Sequence, residues 1–164
     1  MIKNLKWIFV VLIISSLISF SFVGKNTLTE GLTIGDKAPT FTICGEKQLI
    51  DLKDLRGKYV LLSFWASYDA LSRMQNATLN HAVAQADNVE MVSVSFDEYK
   101  SIFNETIKKD QISTSNCFVE LAGVSSDLYQ TYRLKRGFKN FLLDENGVIV
   151  AKDVTVSELS SYLN

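Results

Sequence analysis

The run Tyr59-Val60-Leu61-Leu62-Ser63-Phe64-Trp65 most narrows the folds open to this chain. A near-continuous apolar stretch of this kind reads as a strand covered on both faces, which implies helices on either side of a sheet. It leads directly into a helical pattern over 70–86, with Leu71, Met74, Leu79 and Val83 predicted on one stripe. Asp69 stands at the join, where its carboxylate suits a helix N-cap.

The remaining elements alternate around this unit. Gly35-Asp36-Lys37-Ala38-Pro39 marks a turn into Thr40-Phe41-Thr42-Ile43, and residues 48–52 pair back across 45–47 as a predicted hairpin. Downstream come a buried strand over 89–96, an amphipathic helix over 98–109 carrying Ile102, Phe103, Thr106 and Ile107, and a short strand at Cys117-Phe118-Val119. A helix over 125–132 takes Ser125 or Ser126 as its cap. Apolar runs over 138–143 and 147–151 flank Asp144-Glu145-Asn146-Gly147, a hairpin signal because both Asn and Gly tolerate positive φ. A last helix is predicted over 155–163. The order implies an α/β fold whose sheet is mixed and parallel in its first half, with no internal repeat.

The chain of 164 residues, 47% hydrophobic, suffices for one domain with its own core. A net charge of -1 and the lack of any basic cluster argue against nucleic-acid binding. The N-terminus differs in kind. Lys3 and Lys6 precede an apolar stretch from Trp7 toward Gly24, with Ser19 and Ser21 at the spacing a signal peptidase reads. Two readings stay open, a cleaved signal or an uncleaved anchor approaching the roughly 20 residues that span a bilayer. Both export the rest. The expected division is 1–24 signal or anchor, 25–34 linker and 35–164 domain.

Four motifs in this order resemble the thioredoxin superfamily, in its exported TlpA/ResA-like branch related to the AhpC/TSA (redoxin) group. They are Gly-Asp-Lys-Ala-Pro-Thr-Phe at 35–41, Leu-Arg-Gly-Lys-Tyr-Val-Leu-Leu-Ser-Phe-Trp-Ala-Ser at 55–67, Val-Ser-Phe-Asp at 94–97 and Phe-Leu-Leu-Asp-Glu-Asn-Gly-Val-Ile-Val-Ala at 141–151. The resemblance implies a three-layer α/β/α sandwich with an N-terminal β-hairpin extension. It also implies a Trp-Cys-x-x-Cys redox site, and here the chain departs from the family. Tyr68 takes the tryptophan position, Asp69 that of the attacking cysteine and Ser72 that of the resolving cysteine. Phe138 stands where the family places a cis-proline.

Thiol–disulfide exchange needs one thiolate to attack and a second thiol to resolve. Asp69 keeps a negative charge at the helix tip but forms no bond to sulfur, and Ser72 resolves nothing. The Gly137–Phe138 peptide is expected to be trans, because a cis bond before a non-proline costs about 3–4 kcal/mol. Phe138 is then free to fill the vacated space against Tyr68. Trp65, Tyr68, Asp69 and Phe138 are the candidate binding residues.

Other features weigh less. Cys44 and Cys117 are the only cysteines; a disulfide between them is permitted after export, and small buried thiols are the commoner role. His81 lacks a second ligand at metal spacing, so no metal is expected and no cofactor is implied. Asn76-Ala77-Thr78 and Asn104-Glu105-Thr106 match the glycosylation pattern by chance inside predicted helices. Lys135, Arg136 and Lys139 form a small basic loop, solvated or pairing with Asp69.

Three functions compete. The first is a redox-inactive binding or scaffold module whose partner is an envelope protein or peptide, touching membrane only through an uncleaved N-terminal segment. The second is an oxidoreductase using Cys44 and Cys117 in a relocated arrangement. The third is a different enzyme with Asp69 as acid or base, which requires a carboxyl buried enough to raise its pKa.

Overall fold

The apolar run 59–65 forms the middle strand of the sheet. The computed structural model describes residues 28–45, 49–113 and 115–163. The expected export segment at 1–24, the start of the linker and most of the predicted 45–47 turn lie outside them. Strands β1 (Thr42–Cys44) and β2 (Leu49–Asp51) form an antiparallel hairpin with Ile43 opposite Ile50. There follow β3 (Tyr59–Trp65), α1 (Ala70–Val83), β4 (Val89–Ser95), α2 (Lys100–Lys109), β5 (Cys117–Val119), α3 (Asp127–Thr131), β6 (Asn140–Leu143), β7 (Ile149–Lys152) and α4 (Val156–Leu163). The five-stranded sheet runs β5-β4-β3-β6-β7. β3, β4 and β5 are parallel, and β6 and β7 are antiparallel to their neighbours.

Alternation along β3 divides the core in two, because successive side chains leave opposite faces of a strand. Val60, Leu62 and Phe64 join Val92, Val94, Phe118, Leu128 of α3, and Ile43 and Ile50 of the hairpin. Leu61 joins Leu79 of α1, Met91, Leu142 and Leu159 of α4. Both faces are therefore covered, as the continuous apolar run requires. On the first face Tyr132 packs 4.6 Å from Phe64, ring centroid to centroid, and its hydroxyl donates to the Pro39 carbonyl at 2.7 Å. Burial pushes that phenol far above its ordinary range.

The phase of α1 differs from the sequence expectation. Its inner face carries Ser72, Asn76, Leu79 and Asn80, while Leu71 and Met74 are 62% and 60% exposed. Two contacts set this phase. Asn76 Oδ1 accepts from Ser93 Oγ at 2.8 Å beneath the helix, and Asn80 Oδ1 accepts from the Ser113 amide at 2.9 Å. Residues 72, 76, 79 and 80 fall on one face of a helix turning every 3.6 residues, and 71 and 74 fall outside it. Asn76 is wholly buried, which withdraws its glycosylation match from the surface. Its Nδ2 has no partner among the described residues.

Two further expectations change. At 144–147 only Gly147 takes a positive φ (80°), and the Gly147 amide donates to the Asp144 carbonyl at 2.9 Å. The connection is a turn closed by one left-handed glycine, with a register shift beside it at Leu142/Leu143. Part of the stretch read as linker is docked: the Lys37 amide donates to Thr29 O at 2.9 Å, and Leu32 packs against the core. Folded structure thus begins ahead of Gly35.

Candidate functional site

The tip of α1 is assembled from the inside outward. Asp97, only 2% exposed, ends the apolar run of β4 and anchors the loop that enters the helix. Its Oδ1 accepts from the Ser67 amide at 3.0 Å and from Ser67 Oγ at 2.6 Å, and its Oδ2 accepts from Ser95 Oγ at 2.7 Å. A buried carboxylate is tolerated when its oxygens are satisfied in this way. Sequence reasoning quoted this aspartate within a motif without giving it a role. The available signal was an acidic residue closing a buried strand.

With Ser67 held, Asp69 adopts extended backbone (φ -97°, ψ 99°) and caps α1. Its Oδ1 accepts from the Ser72 amide at 2.8 Å, and the buried Ser72 donates its hydroxyl to the Asp69 carbonyl at 3.3 Å. The expected cap is present. Carboxylate and hydroxyl are both engaged by the helix end itself.

Phe138 occupies the space expected of it. Its ring stacks on Phe96 at 5.9 Å and 22°, and lies 6.2 Å from Tyr68 and 6.3 Å from Tyr129. No peptide among the described residues is cis. The preceding Gly137 holds φ at 121°, a conformation that residues with a Cβ rarely adopt, and so turns the chain into β6. Tyr68 is 66% exposed. Partial burial, then Tyr129, Asp97, Asp69 and Glu98, holds its phenol above the ordinary value.

The structure separates the other named residues from this tip. Trp65 is a correction: it is fully buried, and its Nε1 donates to Ser93 Oγ at 2.8 Å, so it presents no binding surface. Alternation sends it to the α1 side of the sheet, where it packs 6.2 Å from Phe103 of α2. Cys44 and Cys117 are free thiols, and no disulfide joins them. Cys117 donates weakly to Ser93 Oγ at 3.5 Å, and burial pushes its thiol up to about 11. Lys139 lies 3.8 Å from Asp153 rather than pairing with Asp69. Arg73, one turn into α1, makes a bidentate pair with Asp110 at the end of α2, at 2.6 and 2.7 Å.

Chemically, the tip offers a capped carboxylate, a buried hydroxyl and a surface of large apolar side chains, namely Tyr68, Leu71 and Met74. It presents no thiol.

Comparison with known proteins is consistent with this architecture. The model of the AhpC/TSA family matches residues 34–152. A thioredoxin-like protein from Parabacteroides distasonis superposes with a TM-score of 0.73 at 42% identity, covering 84% of this chain and 98% of that one. The thioredoxin domain of a thiol-disulfide oxidoreductase from Bacteroides vulgatus gives 0.70 at 25% identity, with 82% and 100% covered. The thiol-disulfide oxidoreductase ResA of Bacillus cereus is 24% identical over 163 residues, 95% of this chain and 92% of the relative.

Proposed function

The chain belongs to the AhpC/TSA family on a thioredoxin-like fold, and from that premise we propose that it is an exported, redox-inactive member acting as a binding or scaffold module. One observation carries the reading. Where relatives by resemblance place the attacking cysteine, a carboxylate caps the helix by accepting from the Ser72 amide. A carboxylate neither attacks a disulfide nor leaves from one. Cys117 is a poor substitute, because a thiol raised to about 11 by burial holds almost no thiolate at neutral pH.

Tyr68, Leu71 and Met74, each at least 60% exposed, form the apolar surface to which the module binds an envelope protein or peptide. Asp69 and Phe138 shape its edge. Lys3, Lys6 and the apolar stretch behind them support export.

A second reading, thiol chemistry relocated to Cys44 and Cys117, is favoured by one observation: both thiols line the same groove. Insulin reduction by the purified chain, alongside a Cys44→Ser/Cys117→Ser double variant, separates the two. The binding reading expects no turnover above the uncatalysed rate from either protein. Turnover that vanishes in the double variant would establish the relocated site and sink the inert one.

A further inference from the structure

Away from the helix tip, the outer edge of β5 has no neighbouring strand among the described residues. β5 is the outermost strand on its side of the sheet. Its pairing with β4 uses alternate residues: the Asn116 carbonyl accepts from the Ser93 amide at 2.9 Å, and the Glu120 amide donates to the Ser95 carbonyl at 2.8 Å. In a parallel pair this alternation turns the N–H and C=O groups of Cys117 and Val119 away from the sheet. Among the described residues nothing bonds to those outward groups.

They face a groove of about 1020 Å³. Its opposite wall is one face of α2, where Phe103, Ile107 and Lys108 follow the helical repeat, and Ile112 and Phe118 add apolar surface. We propose that this groove takes an extended, acidic peptide segment of a partner protein by strand addition to β5. The segment's backbone bonds to Cys117 and Val119, and its alternate side chains enter the apolar space beneath α2.

The occupant follows from what the walls require. A purely apolar ligand would seal the outward N–H and C=O groups from water without replacing their bonds, which is unfavourable. A strand replaces them. Lys108, exposed on that wall, gives it a positive charge. A second copy docked edge to edge about a two-fold axis would set like charges against each other, whereas a partner strand bearing glutamate or aspartate is attracted. The groove uses neither Asp69 nor Tyr68, so this inference stands or falls separately from the reading of the helix tip.

The test is an NMR titration of the full isotope-labelled chain with a short acetylated peptide of alternating valine and glutamate. Two controls accompany it, a lysine-for-glutamate version and a version N-methylated along one edge. The amides of Cys117 and Val119 are expected to shift and gain protection from exchange. The glutamate peptide should bind more tightly than the lysine one, and the N-methylated peptide should not bind. Lys108→Glu, at an exposed position, should weaken the glutamate peptide roughly three- to fivefold, the scale of an exposed charge pair, and favour the lysine version. Four results would each overturn the proposal: binding of the methylated peptide equal to the parent's; shifts confined to 68–74; no shift with any peptide; or protection of the same amides by concentration-dependent self-association alone.

Discussion

The tip of α1 and the outer edge of β5 are both unfinished surfaces, in opposite senses. At the tip the polar side chains that fix the chain entry bond to the protein itself: Asp97 holds Ser67 and Ser95, and Asp69 holds Ser72. What remains outside is side chain, Tyr68, Leu71 and Met74. At β5 Phe103, Ile112 and Phe118 are buried, and the outward backbone of Cys117 and Val119 has no partner among the described residues. A surface of side chains selects a partner by shape and apolar area, with a few residues dominating. A backbone edge accepts any extended chain and leaves selection to neighbouring pockets and charges. On the two proposals above, one fold would offer two kinds of recognition at separate places.

The sharpest way to break this contrast is to remove the tip's anchor. Asp97→Ala leaves the buried Ser95 hydroxyl hydrogen and the Ser67 donors without their acceptor, and should destabilise the chain by about 2–3 kcal/mol in urea unfolding. Hydrogen exchange should rise over 67–72 and stay unchanged at Cys117 and Val119. Uniform acceleration would mean that the two regions are not independent.

Removing the cap acts on a smaller scale. Asp69→Ala should lose about 1 kcal/mol, and Asp69→Asn only a few tenths, measured by the same unfolding curve. An equal loss in both would show the charge, rather than the hydrogen bond to Ser72, to be what matters.

The pair Arg73–Asp110 ties the first turns of α1 to the end of α2 and so joins the two regions. The hydrogen bond from Arg73 holds the Asp110 carboxyl below its ordinary value. A depressed folded-state pKa contributes stability that is complete above the unfolded value near pH 3.9 and fades as pH falls through the folded one. Asp110→Asn should therefore cost about 1 kcal/mol or less near neutrality and flatten the acid limb of stability against pH. An unchanged acid limb would remove the pair from the account.

The smallest expected effect is the most diagnostic. Leu71→Ser should alter stability by no more than about 0.5 kcal/mol, as for a solvated position. A loss on the scale of a buried leucine, about 2–5 kcal/mol, would restore the stripe predicted from sequence. The same substitution should abolish any partner binding at the tip while leaving peptide binding at β5 intact.

Much of the fold was legible before any coordinates. The apolar run of β3, the Asn-Gly turn signal and an N-cap at Ser125 or Ser126 depend on residues close together in the chain. The structure returned each within a few positions, including the Ser126 hydroxyl accepting from the Tyr129 amide at 3.1 Å. Phe138 against Tyr68 was also legible, because the resemblance aligned both with a known opposition. The candidate site was less so. Trp65 was named as a binding candidate although it ends a strand read as covered on both faces; it proved to be core, its indole held by Ser93. Asp97 was passed over because its partners, Ser67 and Ser95, are identified only by folding.

By itself the sequence determined the order of strands and helices, the cap at Asp69, and the absence of cysteine at 69 and 72. Those properties follow from short-range periodicity, local capping chemistry and residue identity. Only the tertiary structure decided which face of α1 lies inward, that both thiols border one groove, and that no described residue pairs with the outer edge of β5. A helix can turn by one position, about 100°, with no change in its local preferences. The choice belongs to contacts such as Asn76 with Ser93, made between residues that the chain itself keeps apart.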